Sequence, residues 1–239
     1  MSEEIRLNKY LAECGISSRR AADKLIEEGM VKINGVVVKK LGVKIDPSKD
    51  KILVGGKQIQ PEKEKIYYMI NKPKGYVTTS FDPLKRKKVT DLVPKGPRVF
   101  SVGRLDKDTT GLLILTNDGG LAYGITHPKF KKEKEYEVKA NKIRSKTQNY
   151  VLSLMSGMKL KEGFAKADKI DVIKENDKYI YFNIVIHQGW KRQIRRMCDK
   201  IGLGVMDLRR IRIGELELGD LGEGECRELS KTEVTKLLS

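Results

Sequence analysis

The sequence is poor in the residues that build cross-links and metal centres. Its 239 residues include three cysteines, Cys14, Cys198 and Cys226, far apart and in no C-x-x-C spacing. An odd, scattered set reads as reduced thiols rather than a disulfide framework or a zinc site. Only two histidines, His127 and His187, are present, which argues against a histidine-based metal centre, so no metal is expected. No apolar run is long enough to span a bilayer. The opening "MSEEIRLNKYLAECG" has no continuous apolar stretch behind a basic end, so it does not read as a secretory signal. The expected location is the cytoplasm, with no membrane partner. Internal repeats, low-complexity tracts and nucleotide-cofactor motifs are absent too.

What the chain has in excess is positive charge. Lysine and arginine number 49 against 32 acidic residues, a formal net charge of +17. Self-repulsion of that size destabilises a compact chain and points to a polyanionic partner, nucleic acid first. The 39% apolar content is enough for a real core.

Residues 1–60 read as one small domain. Leu7, Tyr10 and Leu11 have helical spacing, and Gly15 stops that helix. Ser17 or Ser18 caps a second helix with an apolar face of Ala21, Ala22, Leu25 and Ile26, ended by Gly29. "MVKI" and "VVV" flank Asn34-Gly35, a favoured hairpin turn, and "KILV" and "KQI" flank Gly55-Gly56. Arg19 and Arg20 fall in the first turn of the second helix, where the macrodipole disfavours cations unless a phosphate binds there. The stretch "RLNKYLAECGISSRRAADKLIEEGMVKINGVVV" resembles the RNA-binding (alpha-L) domain first described in ribosomal protein S-four. That resemblance implies structured RNA, read through shape and backbone, with Arg19, Arg20 and Lys24 as contacts.

Residues 61–64 read as a linker, and residues 65–239 as an α+β domain on a largely antiparallel mixed sheet with flanking helices. Its strands are "IYYMIN", "RVFSV", "GLLILT", "KEYEVKA", "YIYFNIVIH" and "LRRIRIGEL". Helical patterns lie at Gly119–Ile125, Lys146–Ser156 and Lys191–Ile201, and a capping box of Ser230 and Glu233 opens a last helix.

Three stretches carry chemistry. In "GRLDKDTTGLLILT" a carboxylate, Asp106, stands at the mouth of a strand too apolar to lie on a surface. It can share a metal with Asp108, though no further clustered carboxylates support one, cap its loop, or act as base or nucleophile; local reasoning favours the cap. In "HQGWKRQIRRMCDKIG" the residues Ile194, Met197, Cys198 and Ile201 form an apolar helical stripe. Arg192 and Arg196 fall on the opposite face, suited to phosphates, and Arg195 at the margin. From there Arg195 pairs with Asp199 one turn on or reaches Asp106 as a two-pronged donor. In "KKEKEYEVKA" alternation puts Tyr136 and Val138 on one face, with Lys134 in phase with them. Tyr136 is either ordinary core, its hydroxyl needing a partner, or a stacking platform for an extruded base.

Together with "INKPKG", the segments "GRLDKDTTGLL", "KEYEV" and "RQIRRM" resemble the RsuA/RluB-type ribosomal RNA pseudouridine synthases, in the family's order and over almost the whole chain. The resemblance implies isomerisation of a specific uridine in ribosomal RNA to pseudouridine without a cofactor. It gives Asp106 the role of catalytic aspartate, Tyr136 that of active-site tyrosine, and Arg195 that of salt-bridge partner to the aspartate. Asp106 would act as nucleophile or as base toward the ribose. Arg104 matches an arginine that displaces and replaces the target base, and Lys134, Arg192 and Arg196 join the RNA contacts. Gly120 departs from the pattern, standing where an acidic residue is common, which bears on the helix start more than on the chemistry. "QGWKRQIRRMC" looks more like the large-subunit-modifying branch. The expected partner is a ribosomal RNA stem-loop with a flipped uridine, bound by a monomer. The rivals are a non-catalytic ribosome-assembly factor and a metal-dependent nuclease.

Overall fold

The computed structural model describes residues 4–143 and 150–238. The chain divides into two compact units. One runs through Ile66 and takes in Lys95–Arg98 and Asn117–Gly119; the other holds the remainder.

In the first unit, β1 (Ile5–Arg6) leads into α1 (Leu7–Glu13) and α2 (Arg19–Glu27). Then follow β2 (Val31–Ile33), β3 (Val36–Val38), β4 (Lys44–Ile45), β5 (Ile52–Val54) and β6 (Lys57–Gln58). The Ser18 hydroxyl accepts from the Ala21 amide at 3.2 Å, which makes Ser18 the cap of α2. Asn34 and Gly35 both have positive φ, 52° and 87°, as a tight two-residue hairpin between twisted strands requires. Leu7, Leu11, Ala22, Ile26, Val31 and Ile52 form a small core under the β3-β2-β5-β6 sheet. Each fully buried Leu or Ile adds about 1.5–3 kcal/mol.

The second unit is built on β7 (Tyr67–Lys72), β8 (Phe100–Val102), β9 (Thr110–Thr116) and β10 (Lys134–Lys142). It continues with β11 (Met158–Lys159), β12 (Phe164–Ala165), β13 (Lys169–Glu175) and β14 (Tyr179–Ile186). The last strands are β15 (Leu203–Ile213), β16 (Leu216–Glu217) and β17 (Cys226–Glu228). Its helices are α3 (Gly119–Thr126), α4 (Tyr150–Ser156), α5 (Gln193–Lys200) and α6 (Lys231–Leu238). A nine-stranded sheet runs β13-β14-β10-β15-β9-β7-β17, with β8 on β9 and β16 on β15. Every pairing in it is antiparallel except β9 with β15. All of Gly111–Thr116 is buried, as the unbroken apolar run requires.

The parallel contact joins Arg209 to Thr110 and Arg210 to Gly111. A side chain at Gly111 would overlap the Arg210 backbone, and its φ is +102°, so glycine is the residue that lets the two strands meet.

Two expected helices have different bounds. Of the pattern at Lys146–Ser156, residues 146–149 lie outside the described residues, and α4 covers the rest. The helix expected from Lys191 starts at Gln193, because Arg192 is left-handed with φ 51° and ends the preceding turn. Gln193, buried, ties that turn: its amide donates to the Trp190 carbonyl and its side chain to Gln188. The Ser230–Glu233 capping box forms in both directions, at 2.8 and 3.2 Å. No helix among the described residues is long and apolar enough to cross a membrane.

Candidate active site

The loop from Gly103 to Thr109 joins β8 to β9 and is held from below. Thr78 donates its hydroxyl to the Leu105 carbonyl at 2.6 Å and accepts from the Leu105 amide. The Gly75 amide donates to the Lys107 carbonyl at 2.9 Å. Lys72 is completely buried, and its ammonium donates to the carbonyls of Pro73, Lys107 and Thr109 at 3.0, 3.4 and 2.8 Å. "INKPKG" thus supplies the floor of the loop. Burial pulls Lys72 down to about 8, against the opposing charges of Asp108 and Asp106. The Thr109 amide returns to the Asp106 carbonyl at 3.1 Å, closing a tight turn around Lys107 and Asp108.

That turn separates the two carboxylates. Asp106 lines a cavity of about 800 Å³ in the second unit. Asp108 turns to the start of α5, where Arg192, the residue before the helix, grips both its oxygens at 2.9 and 3.1 Å. Burial pushes the Asp108 carboxyl up, but the Arg192 hydrogen bond and the charges of Arg195 and Arg192 bring it below its ordinary value.

Arg195 does not pair with Asp106. Its guanidinium donates to the main-chain carbonyls of Val205 and Asp108, each at 3.0 Å, and lies 3.4 Å from an Asp108 carboxylate oxygen. The pairing with Asp199 does not form either. The reason is the turn at Asp106–Thr109, which presents Asp108 to the helix and leaves Asp106 on the cavity side. Arg195 does not line the cavity; it braces the loop from behind.

Arg192 and Arg196 are not free for phosphates in this structure. Arg192 is taken by Asp108, and Arg196 forms a two-pronged pair with Glu162 at 2.8 and 3.1 Å. Arg104 is exposed and lines the cavity. Arg19, Arg20 and Lys24 are exposed on the first unit.

The opposite wall is the sheet. Tyr136 is buried and lines the cavity, its hydroxyl accepting from Arg210 at 3.4 Å. Lys134 is half-buried, donating to the carbonyls of Lys132 and His187. Burial, then the neighbouring charges of Arg210 and Lys132, lower it to about 8. His187, also on the cavity, lies 2.6 Å from Asp168 through its Nδ1. Leu208, Ile194 and Ile213 supply apolar lining. Buried cations and an aromatic ring over an apolar floor suit a flat, polar-edged, anionic ligand such as a nucleotide.

Sequence reasoning missed Lys72 and Arg210, and it weighed Asp108 only as a metal-sharing partner of Asp106. The Arg210 signal was present: in "LRRIRIGEL" it keeps step with Leu208, an arginine at a position where the alternation calls for an apolar residue. The registers Val138–Leu208 and Tyr136–Arg210 carry that phase into the cavity.

The chain is similar to known proteins over nearly its whole length. Residues 66–200 match the family model described as RNA pseudouridylate synthase, and residues 5–52 match the S4 domain. An uncharacterized RNA pseudouridine synthase of Aquifex aeolicus (strain VF5) is 43% identical over 98% of this chain and 94% of its own length. A ribosomal large subunit pseudouridine synthase B of Bacillus subtilis (strain 168) is 42% identical over 97% of this chain and 95% of its own. A solved pseudouridylate synthase superposes with a TM-score of 0.68 at 33% identity, covering 98% of this chain and 99% of that one.

Proposed function

The chain belongs to the RNA pseudouridine synthase family, with an N-terminal S4 domain, and on that premise we propose that it isomerises a specific uridine of large-subunit ribosomal RNA to pseudouridine. The large-subunit assignment is supported by the name of the Bacillus subtilis relative, which is similar over nearly its full length.

The observation that carries the reading is the division of labour in the Asp106–Asp108 turn. Asp108 takes Arg192 and Arg195, and Asp106 is left with no side-chain partner among the described residues, on a cavity that also holds the Tyr136 ring. Asp106 lies within the field of Lys72, Arg192 and Arg195, and no ion pair among the described residues holds its carboxylate away from the cavity.

The target uridine leaves its stack at a cost of a few kcal/mol. Stacking on Tyr136 returns about 1–3 kcal/mol. Arg104, at the cavity's exposed edge, takes the vacated base position. The C1′–N1 bond then breaks and its electron pair leaves with the uracil, while the electron-poor ribose faces Asp106. The base turns, C5 bonds to C1′, the C5 proton departs and N1 ends protonated, so the composition is unchanged. Tyr136 stands beside the base to help remove that proton. Arg195 acts through the loop, as a positioning residue. The reading includes a monomer working in the cytoplasm on a structured stem-loop.

Mapping pseudouridines in ribosomal RNA from cells with and without the protein tests it. We expect one large-subunit position to lose its pseudouridine when the protein is absent. The purified protein should restore it in excess chelator with the RNA intact. An unchanged map overturns the reading, and strand cleavage that needs magnesium replaces it with a nuclease.

A further inference from the structure

We infer that Lys134 and Arg210 form the site that receives the negative charge of the uracil when its bond to the ribose breaks. The inference rests on the functional reading above and goes beyond it, to the group that stabilises the leaving base.

The argument begins with strand register. Tyr136 on β10 stands directly opposite Arg210 on β15, and Lys134 precedes Tyr136 by two residues on the same face. All three line the cavity. Arg210 is only 2% exposed. Its Nε donates to the Leu112 carbonyl at 2.8 Å and its Nη1 to the Tyr136 hydroxyl at 3.4 Å. Its Nη2 is enclosed and has no hydrogen-bond partner among the described residues. Lys134 uses two of its three donors on main-chain carbonyls.

Neither cation meets a carboxylate within ion-pair distance among the described residues. Burying one charge without a counter-charge is costly, and placing two of the same sign together adds repulsion. The mutual strain is visible at Lys134, which burial and the charges of Arg210 and Lys132 lower to about 8. It still carries its proton at neutral pH, so the pair is cationic when the enzyme works.

A fold keeps such a pair when the missing anion arrives with the ligand. A backbone phosphate is a poor candidate for Arg210, because phosphates stay at the solvated rim, where exposed Arg104, Lys131 and Lys191 stand. The flipped base is the part of the RNA that goes deep. A neutral uracil has little need of two cations. A detached uracil carries the electron pair of the broken bond, spread over N1, O2 and O4. Donors already in place where that charge develops lower the barrier without reorganising, and they keep the free base from drifting while it turns.

The test uses the full-length protein in single-turnover reactions on the mapped stem-loop, with uridine or 5-fluorouridine at the target. Fluorine makes the ring nitrogen more acidic, so 5-fluorouracil leaves as a more stable anion and needs less help. We expect Arg210→Gln to slow consumption of uridine about 100-fold and of 5-fluorouridine much less, with RNA affinity unchanged. Lys134→Met should show the same asymmetry, which keeps the test decisive if Arg210→Gln does not fold. Arg210→Lys, which retains the charge, should recover part of the uridine rate. Equal slowing on both bases overturns the inference, as does weaker RNA binding at an unchanged rate, which would make these phosphate contacts. Wild-type protein that consumes neither base overturns the functional reading, and the inference with it.

Discussion

On the helix side of the cavity, Arg192, Arg195 and Arg196 each have a carboxylate: Asp108 for the first two and Glu162 for the third. On the sheet side, Arg210 is buried and Lys134 half-buried, and neither has one among the described residues. The matched arginines have their counter-charges before any RNA arrives, and Arg192 and Arg195 hold the shape of the Asp106 loop. The unmatched pair has a demand that only a ligand meets. One cavity therefore contains cations that build the site and cations that wait for charge, and pairing separates them better than exposure does.

Substitutions and pH can break or sharpen that contrast. The largest effect belongs to the carboxylate between the two walls. Asp106→Asn should abolish turnover in a single-turnover assay while thermal melting and RNA binding stay as in the wild type, because the amide is isosteric and no ion pair is lost. Pseudouridine formation by that variant would remove Asp106 from the chemistry.

Next comes pH, where the sheet wall should act on activity and stability with opposite sign. Lys134 and Lys72 are each lowered from 10.5 to about 8. Above about 8 Lys134 loses its charge, so the rate on uridine should fall about tenfold per pH unit, one proton being lost. The charged neighbours Arg210 and Lys132, and His187, whose carbonyl accepts from Lys134, are the groups around it. The folded chain gives up these two protons near pH 8, and the unfolded chain keeps them to about 10.5. The unfolded state therefore binds more protons across that window, and stability should rise as activity falls. Lys134→Met should remove its share of both trends and leave that of Lys72, measured by rate–pH profiles and chemical denaturation.

On the helix wall, Asp108→Ala strips Arg192 and Arg195 of their carboxylate. The cost should be about 1–2 kcal/mol in urea denaturation, because the pair is only part-buried. Turnover should fall with the loop's loss of order, and equally on uridine and 5-fluorouridine. An unequal fall would place the helix arginines in the same class as Arg210.

The smallest effect is expected on the first unit, whose exposed Arg19, Arg20 and Lys24 also have no carboxylate within ion-pair distance among the described residues, but at no cost of burial. Replacing all three by Ala should weaken RNA binding a few-fold at fixed salt. It should also reduce the slope of log affinity against log salt by about 2–3, measured by filter binding. An unchanged slope would make them ordinary surface charges.

Much of this molecule is legible in its residues. The Asn34-Gly35 hairpin, the Ser18 cap and the Ser230–Glu233 box are local arrangements, decided within a few residues by backbone dihedrals and short side chains. The apolar run of β9 and the phase of Tyr136 on β10 follow from alternation, which is local too. The partner of Arg195 was less legible. Asp106, Asp108 and Asp199 are all within sequence reach of a plausible argument, and a two-residue step around a tight turn reverses which carboxylate faces the helix.

By itself, then, the sequence determined the two-part organisation, the family, the carboxylate at the mouth of β9 and the aromatic ring on β10. Those depend on patterns that repeat over short spans. Only the tertiary structure decided that Asp108 takes Arg192 and Arg195, that Lys72 lies under the loop and that Arg210 stands against Tyr136. Tyr136 and Arg210 are 74 residues apart and meet through strand register, while the Asp108 ion pairs span 84 and 87 residues. Which charges end up matched is set by distance in space, and spacing along the chain does not encode it.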